Sequence, residues 1–334
     1  MSAPIFISGI GAVSPAGWNV AALRDALAKG EPLTPRELER PGLNKPHRVL
    51  RVPPPQTRPS FLSHSRLRRT SPITQFAVSA ALEALGAREP GTTSRMGVIA
   101  CVFSGCVNYS RRFYDETLKD PTTASPLVFP ETVFNAPASH ISAYLGSNAI
   151  NYTLVGDFGT FLTGVAVAAN WLLDEKVEEC LVVGTEEIDW LTADAVRLFD
   201  GRRVLSEGAG ALLLSRSPAE VKLQSITDEH VYHSQTKAAA LLNMKTQLLP
   251  HGANPMLVDS TSSSTGICSE ESNLWSTWKD LRLSPKQVLG EGLMASAAWQ
   301  AVAAVDAIKN GVATEALVSV AGFHQHAIGA KFGA

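Results

Sequence analysis

The sequence predicts a layered α/β protein with mostly parallel sheets, on three observations. Apolar runs of strand length alternate with longer segments of helical period along the chain. A second series of the same kind occupies the C-terminal half. The 334 residues, 45% hydrophobic and 18% charged, suffice for one large core or two intimately fused halves.

In order, Pro4 to Ala12 is expected as a buried strand (Ile5, Phe6, Ile7) entering a glycine turn, and Asn19 to Ala28 has helical spacing. Residues 32–69 are proline-rich and basic, with nine Lys or Arg against Glu37 and Glu39, and are expected to be an irregular surface excursion. Ile73 to Leu85 is an amphipathic helix stopped by Gly86. Met96 to Phe103 is a central strand, followed by an aromatic stretch (Tyr109, Phe113, Tyr114), a loop into a helix, and the strand Ala149 to Val155. Asp157 can cap an apolar helix from Phe158 to about Leu173, because its carboxylate can accept first-turn amide hydrogens. Strands Cys180 to Val183 and Ala211 to Leu214 close the first series. The second comprises strand Met256 to Val258, helices Glu270 to Lys279 and Ser296 to Lys309, and a closing strand Ala316 to Ala321.

Several classes are set aside by composition. A net charge of −2 does not suit a protein built to neutralise nucleic-acid phosphates or anionic lipid. No segment offers the ~18 uninterrupted apolar residues of a membrane span, and the start MSAPIFISGIG lacks a signal-peptide pattern, so a cytoplasmic protein is expected. Cys101, Cys106, Cys180 and Cys268 form no CxxC pair; they read as reduced structural thiols, and neither a metal nor a cofactor is expected.

Five motifs in collinear order carry a resemblance over nearly the whole chain: ISGIGAVSPAG, ITQFAVSAALEALG, NAPASHISAYLGSNAINYT, EECLVVGTEE and SEGAGALLLSR. Together they resemble the β-ketoacyl synthase family. The resemblance implies a thiolase-like five-layer fold of two fused βαβ halves with mixed sheets and buried helices. It implies an N-terminal half over 1–215 and a C-terminal half over 216–334 in one compact unit, usually dimeric across the strand equivalent to Asn151 to Val155.

The same resemblance locates the site. Active members carry a cysteine at the first turn of a buried helix, where the dipole and unpaired amides activate sulfur as an acyl acceptor. Reading on from NYT without a gap puts Phe158 there, and no cysteine lies between Cys106 and Cys180. Asp157 beside it opposes a thiolate. The family's first histidine corresponds to Thr261 in VDSTSSSTG and its second to Glu291, whereas Lys286 fits the family lysine. Neither replacement can carry the histidine's proton near neutral pH in the same way. A family loop that supplies an oxyanion-hole amide and a gating phenylalanine corresponds to VSVAGFHQHA, with Gly322 or Phe323 at the gate; His324 and His326 read as structural or surface residues. No catalytic residue is therefore expected.

Asp157 and Glu291 are a candidate altered acid-base pair, with an N-cap and a helix-start carboxylate as the alternative readings. The run Ser262 to Ser264 with Thr261 and Thr265 has no GxSxG elbow and reads as a loop. Tyr109, Phe113, Phe129, Val133 and Phe134, with Asn151, Tyr152, Thr153 and Phe323, lie where the resemblance places the acyl tunnel or subunit interface; core packing would account for the aromatic group as well. Arg36, Arg48, Arg51, Arg66, Arg68 and Arg69 could dock an acidic acyl carrier protein, or form a solvated loop.

The expected role is a non-catalytic, chain-length-factor-like subunit that pairs with an active ketosynthase and shapes its acyl tunnel, in fatty acid, polyketide or aryl-polyene-type biosynthesis. The connection between VRLFDGRR and SEGAGA is shorter than active members usually carry, which fits that role. Two alternatives are an acyl-thioester hydrolase or decarboxylase using Glu291 or Asp157, and a homodimeric acyl-binding scaffold.

Overall fold

The architecture comes from a computed structural model, which describes all residues except 1–2, 87, 89–92, 94, 200, 234, 251–253, 263–268 and 324–325. Strand β1 (Ile5–Val13) alternates inward and outward before turning fully inward. Helix α1 (Val20–Lys29) is capped by Asn19, whose side chain accepts from the Ala22 amide. The segment expected to be irregular instead holds an antiparallel hairpin, β2 (Arg36–Arg40) and β3 (Leu43–Leu50), with Val49 and Leu50 docked in parallel on a short later strand. Its polar, proline-containing sequence hides the pairing because only the last two residues are buried.

Helix α2 (Pro72–Leu85) starts with proline at its first position and buries Ala77, Ala80, Ala81 and Ala84. These small residues let β1 approach so closely that a Cβ on Gly9 or Gly11 would collide with the Ala84 or Ala80 carbonyl. Then follow β4 (Met96–Val102), α3 (Val107–Lys119), α4 (Ala136–Leu145), β5 (Asn151–Val155), α5 (Thr160–Leu173), β6 (Glu179–Glu186), α6 (Trp190–Phe199), β7 (Leu205–Ser206) and β8 (Gly208–Ser215). The remainder comprises β9 (Val221–Ile226), β10 (His230–Val231), α7 (Lys237–Gln247), β11 (Pro255–Val258), α8 (Ser269–Leu274), β12 (Leu281–Leu283), α9 (Pro285–Leu289), α10 (Met294–Lys309), β13 (Glu315–Ala321) and β14 (His326–Gly333). Helix α8 is shorter than the helix expected over Glu270 to Lys279, and the chain closes on β14 rather than β13.

The strand order β12-β11-β13-β14-β9-β1-β8-β6-β4-β5 contains the same pattern twice. Numbered within its own group, each set of five runs 3-2-4-5-1, with parallel pairs 3-2 and 2-4 and antiparallel pairs 4-5 and 5-1. The two groups meet through antiparallel pairing of β1 with β9, their respective first strands. The sheet is thus mixed rather than mostly parallel, because β8 and β14 return antiparallel beside β6 and β13 respectively.

Helices α5 and α10 lie between the groups: α5 touches β4 and β6 on one side and β14 on the other, and α10 touches β6 and β8 as well as β11 and β13. Every residue of α10 from Met294 to Ile308 is buried, as a helix apolar all round must be. Most of its polar side chains find partners: the Trp299 indole donates to the carbonyls of Val13 and Ala209, Asp306 pairs with Arg24, and the Gln300 amide donates to the Ser319 carbonyl, although Gln300 Oε1 finds none among the described residues. With α2 and α4 on one outer face and α7 on the other, the arrangement has five layers. No helix among the described residues is long and apolar enough to cross a membrane.

Candidate functional site

The site lies where three connections converge on the start of α5. The turn from β5 carries Asp157 and Phe158, the β13–β14 connection carries Phe323, and the α9–α10 connection carries Glu291, with Lys286 on α9. The Phe158 ring is 1% exposed. It packs against Phe103 at 5.9 Å and Phe323 at 6.0 Å between ring centroids, and the Lys286 ammonium sits 4.7 Å from its centre. The helix begins at Thr160 rather than Phe158, and its cap residue Gly159 makes no side-chain bond.

Asp157 is therefore not the N-cap expected. Its Oδ1 accepts the backbone N–H of Phe158 at 2.9 Å and that of Phe323 at 2.7 Å, so the carboxylate links the turn to the opposite connection.

Glu291 is the hub of a buried ion-pair cluster. Its Oε2 accepts from Arg203 at 2.6 Å and Lys286 at 2.9 Å, and its Oε1 accepts from the Leu293 amide and the Ser296 hydroxyl. Side-chain exposure is 2% for Glu291, 3% for Lys286 and 5% for Arg203, so this triad lies out of water. The Arg203 guanidinium also stacks 4.6 Å from the centre of the Phe323 ring. Glu291 further holds Leu293, whose φ of 52° is rare for a leucine, at the start of α10. Sequence reasoning missed Arg203; the only signal was an arginine doublet in a connection already noted as short.

No hydrogen bond joins Asp157 to Glu291 among the described residues, and each has partners of its own. Thr261 stands in a polar cluster at the end of β11, where its amide donates to Asp259 and its hydroxyl accepts from Arg282. Beside it Glu271 accepts from Ser260 and Ser319, and burial, with the nearby Asp259 charge, pushes its carboxyl up to about 7. Ser263, Ser264, Thr265, Cys268 and His324 lie outside the described residues. His326 is 8% exposed, and its Nε2 is buried against Gly159 without a hydrogen-bond partner among the described residues.

No thiol takes over from Phe158 among the described cysteines. Cys101, Cys106 and Cys180 are all buried, and burial pushes each thiol above its ordinary value. The nearby Glu186 at the end of β6 accepts from the Phe103 and Ser104 amides and the Ser104 hydroxyl, and so fixes the segment under the Phe158 ring. Burial pushes this carboxyl up to about 8.

A cavity of about 380 Å³ remains beside Phe158, lined by Phe103, Val155, Gly156, Asp157, Ala195, Val196, Phe199 and Phe323. A second, of about 270 Å³, is cationic, with Lys45, Arg48, Arg197, Arg202 and Arg203 in its wall. Of the other arginines singled out, Arg36, Arg66, Arg68 and Arg69 are exposed. Arg51 pairs with the buried Glu207 at 2.7 Å while its side chain stays partly exposed.

The aromatic group does not pack in the core. Helix α3, with Tyr109 and Phe113, has no buried residue; Phe113 meets Phe129, which is itself 56% exposed, and Val133 and Phe134 are exposed too. The Tyr109 hydroxyl donates to the Arg69 carbonyl. Among the described residues strand β5 ends the sheet, paired only with β4, and it exposes Asn151, Tyr152 (51%) and Val155 (53%), with Thr153 half-buried. An unpaired edge beside large exposed apolar side chains has the character of an interface.

Comparison with known proteins supports this architecture. The family profile described as "Beta-ketoacyl synthase, N-terminal domain" matches residues 2–219. No curated protein sequence matches the chain. Among solved structures, the ishigamide ketosynthase/chain length factor superposes with a TM-score of 0.81 at 19% identity, over 98% of this chain and 99% of the other. The ketosynthase ApeO in complex with its chain length factor ApeC from Xenorhabdus doucetiae gives 0.79 at 14%, over 99% and 98%. AntDE:AntF, a type II polyketide synthase acyl-carrier protein in complex with its ketosynthase, gives 0.76 at 15%, over 100% of both.

Proposed function

The chain belongs to the β-ketoacyl synthase family, and from that premise we propose that it is a chain-length-factor-like subunit, which pairs with a cysteine-bearing ketosynthase and shapes the acyl tunnel without condensing acyl groups itself. The observation that carries this reading is the fully buried Phe158 at the turn where active members present their nucleophile. A phenyl ring cannot form a thioester, and no described cysteine is placed to replace it. Residues 1–215 and 216–334 serve as the two halves of one unit in this reading.

A growing acyl chain needs an apolar cavity whose end wall sets its length, and a partner can supply that wall without chemistry. Edge strand β5 and the apolar side chains of Tyr152, Val155, Phe129, Val133 and Phe134 provide the pairing surface. In this reading Tyr109, Phe113 and Phe323 would contribute to the tunnel or the interface, and Phe323 already lines the cavity beside Phe158. Arg36, Arg48, Arg66, Arg68 and Arg69, with the cationic pocket at Arg197 and Arg202, would receive an acidic carrier protein. Two of the similar structures are described as a ketosynthase with its chain length factor, and a third as an acyl-carrier protein in complex with its ketosynthase. Within this reading a polyene or polyketide chain, of the aryl-polyene kind, is the product class. The hydrolase reading has less support, since Glu291 is tied to two cations and Asp157 to two amides.

Co-expression with a ketosynthase of this family that carries the catalytic cysteine tests the reading. The expected result is a stable one-to-one complex, weakened by about 100-fold or more in Tyr152→Asp/Val155→Asp. Recovery of the chain only as a homodimer would favour the scaffold reading instead, and recovery only as a monomer would exclude both.

A further inference from the structure

We propose that the backbone amides of Phe158 and Phe323 form an anion hole that the chain fills with its own Asp157 carboxylate, and that a free small carboxylate such as formate takes the same place once Asp157 is removed. The inference rests on hydrogen-bond geometry and holds whether or not the chain pairs with a ketosynthase.

Two N–H groups from segments far apart in sequence converge on one oxygen, Oδ1, at 2.9 and 2.7 Å. Both distances belong to strong, charge-assisted bonds. Asp157 is 6% exposed, so the donors act on the carboxylate out of water, where fixed amide dipoles aimed at one point stabilise negative charge most. An ordinary helix cap would accept from the next amides of its own helix, whereas this carboxylate reaches across to the β13–β14 connection.

The surroundings fit a carboxylate. A Cβ on Gly322 would collide with Asp157 Oδ2, so glycine at 322 is what lets the second oxygen in. The Tyr232 hydroxyl donates to the Gly322 carbonyl at 2.6 Å and holds that connection in place. On the other side the buried Nε2 of His326 faces Gly159 with no hydrogen-bond partner among the described residues. Asp157 and Phe323 also line the 380 Å³ cavity, from which a small carboxylate could reach the vacated hole.

The consequence is a site closed twice. Phe158 removes the nucleophile, and Asp157 occupies the point at which the amides would otherwise stabilise charge on an incoming acyl oxygen. By pinning Phe323, it also holds that ring over Phe158 and under Arg203.

Thermal melting of the full chain tests the proposal, with sodium formate and sodium chloride compared at equal ionic strength. Asp157→Ala is expected to melt below wild type, and formate is expected to raise its Tm by about 3 °C or more beyond the chloride effect. Wild type and Asp157→Asn should show no such difference, because their own side chains fill the hole. Equal responses to the two salts in Asp157→Ala, or a melting point equal to wild type, overturn the proposal. If the alanine variant does not fold, amide hydrogen exchange in Asp157→Asn decides: loss of the charge should speed exchange at Phe158 and Phe323 together by about tenfold, and unchanged rates, or a change at only one of them, overturn it.

Discussion

Glu291→Ala lowers the stability of the fold by about 3–5 kcal/mol, read as a fall in the urea midpoint with little change in slope. The cause is not a lost contact but what remains. Lys286 and Arg203, with side chains 3% and 5% exposed, would be two buried cations without their shared anion. The strained Leu293 would also lose the acceptor that holds its amide. Replacing the whole triad with apolar residues of similar volume, as in Arg203→Leu/Lys286→Met/Glu291→Leu, should cost far less than the single change. The difference arises because the desolvation of three charges disappears along with their attraction. If the single and triple variants are equally unstable, the cluster is not the buried ion-pair hub described.

Phe158→Ala should cost a similar amount, about 3–5 kcal/mol, because a fully buried ring leaves a cavity that its neighbours only partly fill. Those neighbours are Phe103, Phe323 and the Lys286 ammonium, each in direct contact with the ring. Phe158→Leu keeps most of the volume and should lose about 1.5 kcal/mol or less. Urea unfolding of both variants checks the order. A loss below about 1 kcal/mol for the alanine variant would mean that the ring does not fill the site as described.

What the sequence made legible follows from how each element is buried. Strands β4, β6 and β8 are buried on both faces and read as apolar runs; α2 and α10 were equally plain from small and apolar residues at helical spacing. Strand β14 is just as buried, yet HAIGAKFG contains glycines, a lysine and a histidine, and its place depends on pairing with β13 and β9. The β2–β3 hairpin was hidden for the opposite reason, since most of its residues face solvent. Helices α6 and α7, which were not anticipated, bury only a few residues each.

At the site, local identity was legible and long-range partnership was not. The motifs singled out Phe158, Lys286 and Glu291, and the structure brings the three together. That Glu291 would be held by Arg203 from another connection, and that Asp157 would reach the Phe323 amide rather than cap its own helix, depends on contacts between distant segments. No sequence periodicity encodes such contacts. The repeated strand order is a similar case: the two halves share topology without visible sequence identity, because the pattern of pairing is preserved by burial rather than by particular residues.

The most direct measurement is the intact mass of the purified chain after incubation with an acyl-loaded carrier protein, alone and together with a cysteine-bearing ketosynthase. With Phe158 at the turn, the mass of this chain should remain unchanged in both mixtures while the ketosynthase becomes acylated. A stable acyl adduct on this chain would contradict the account.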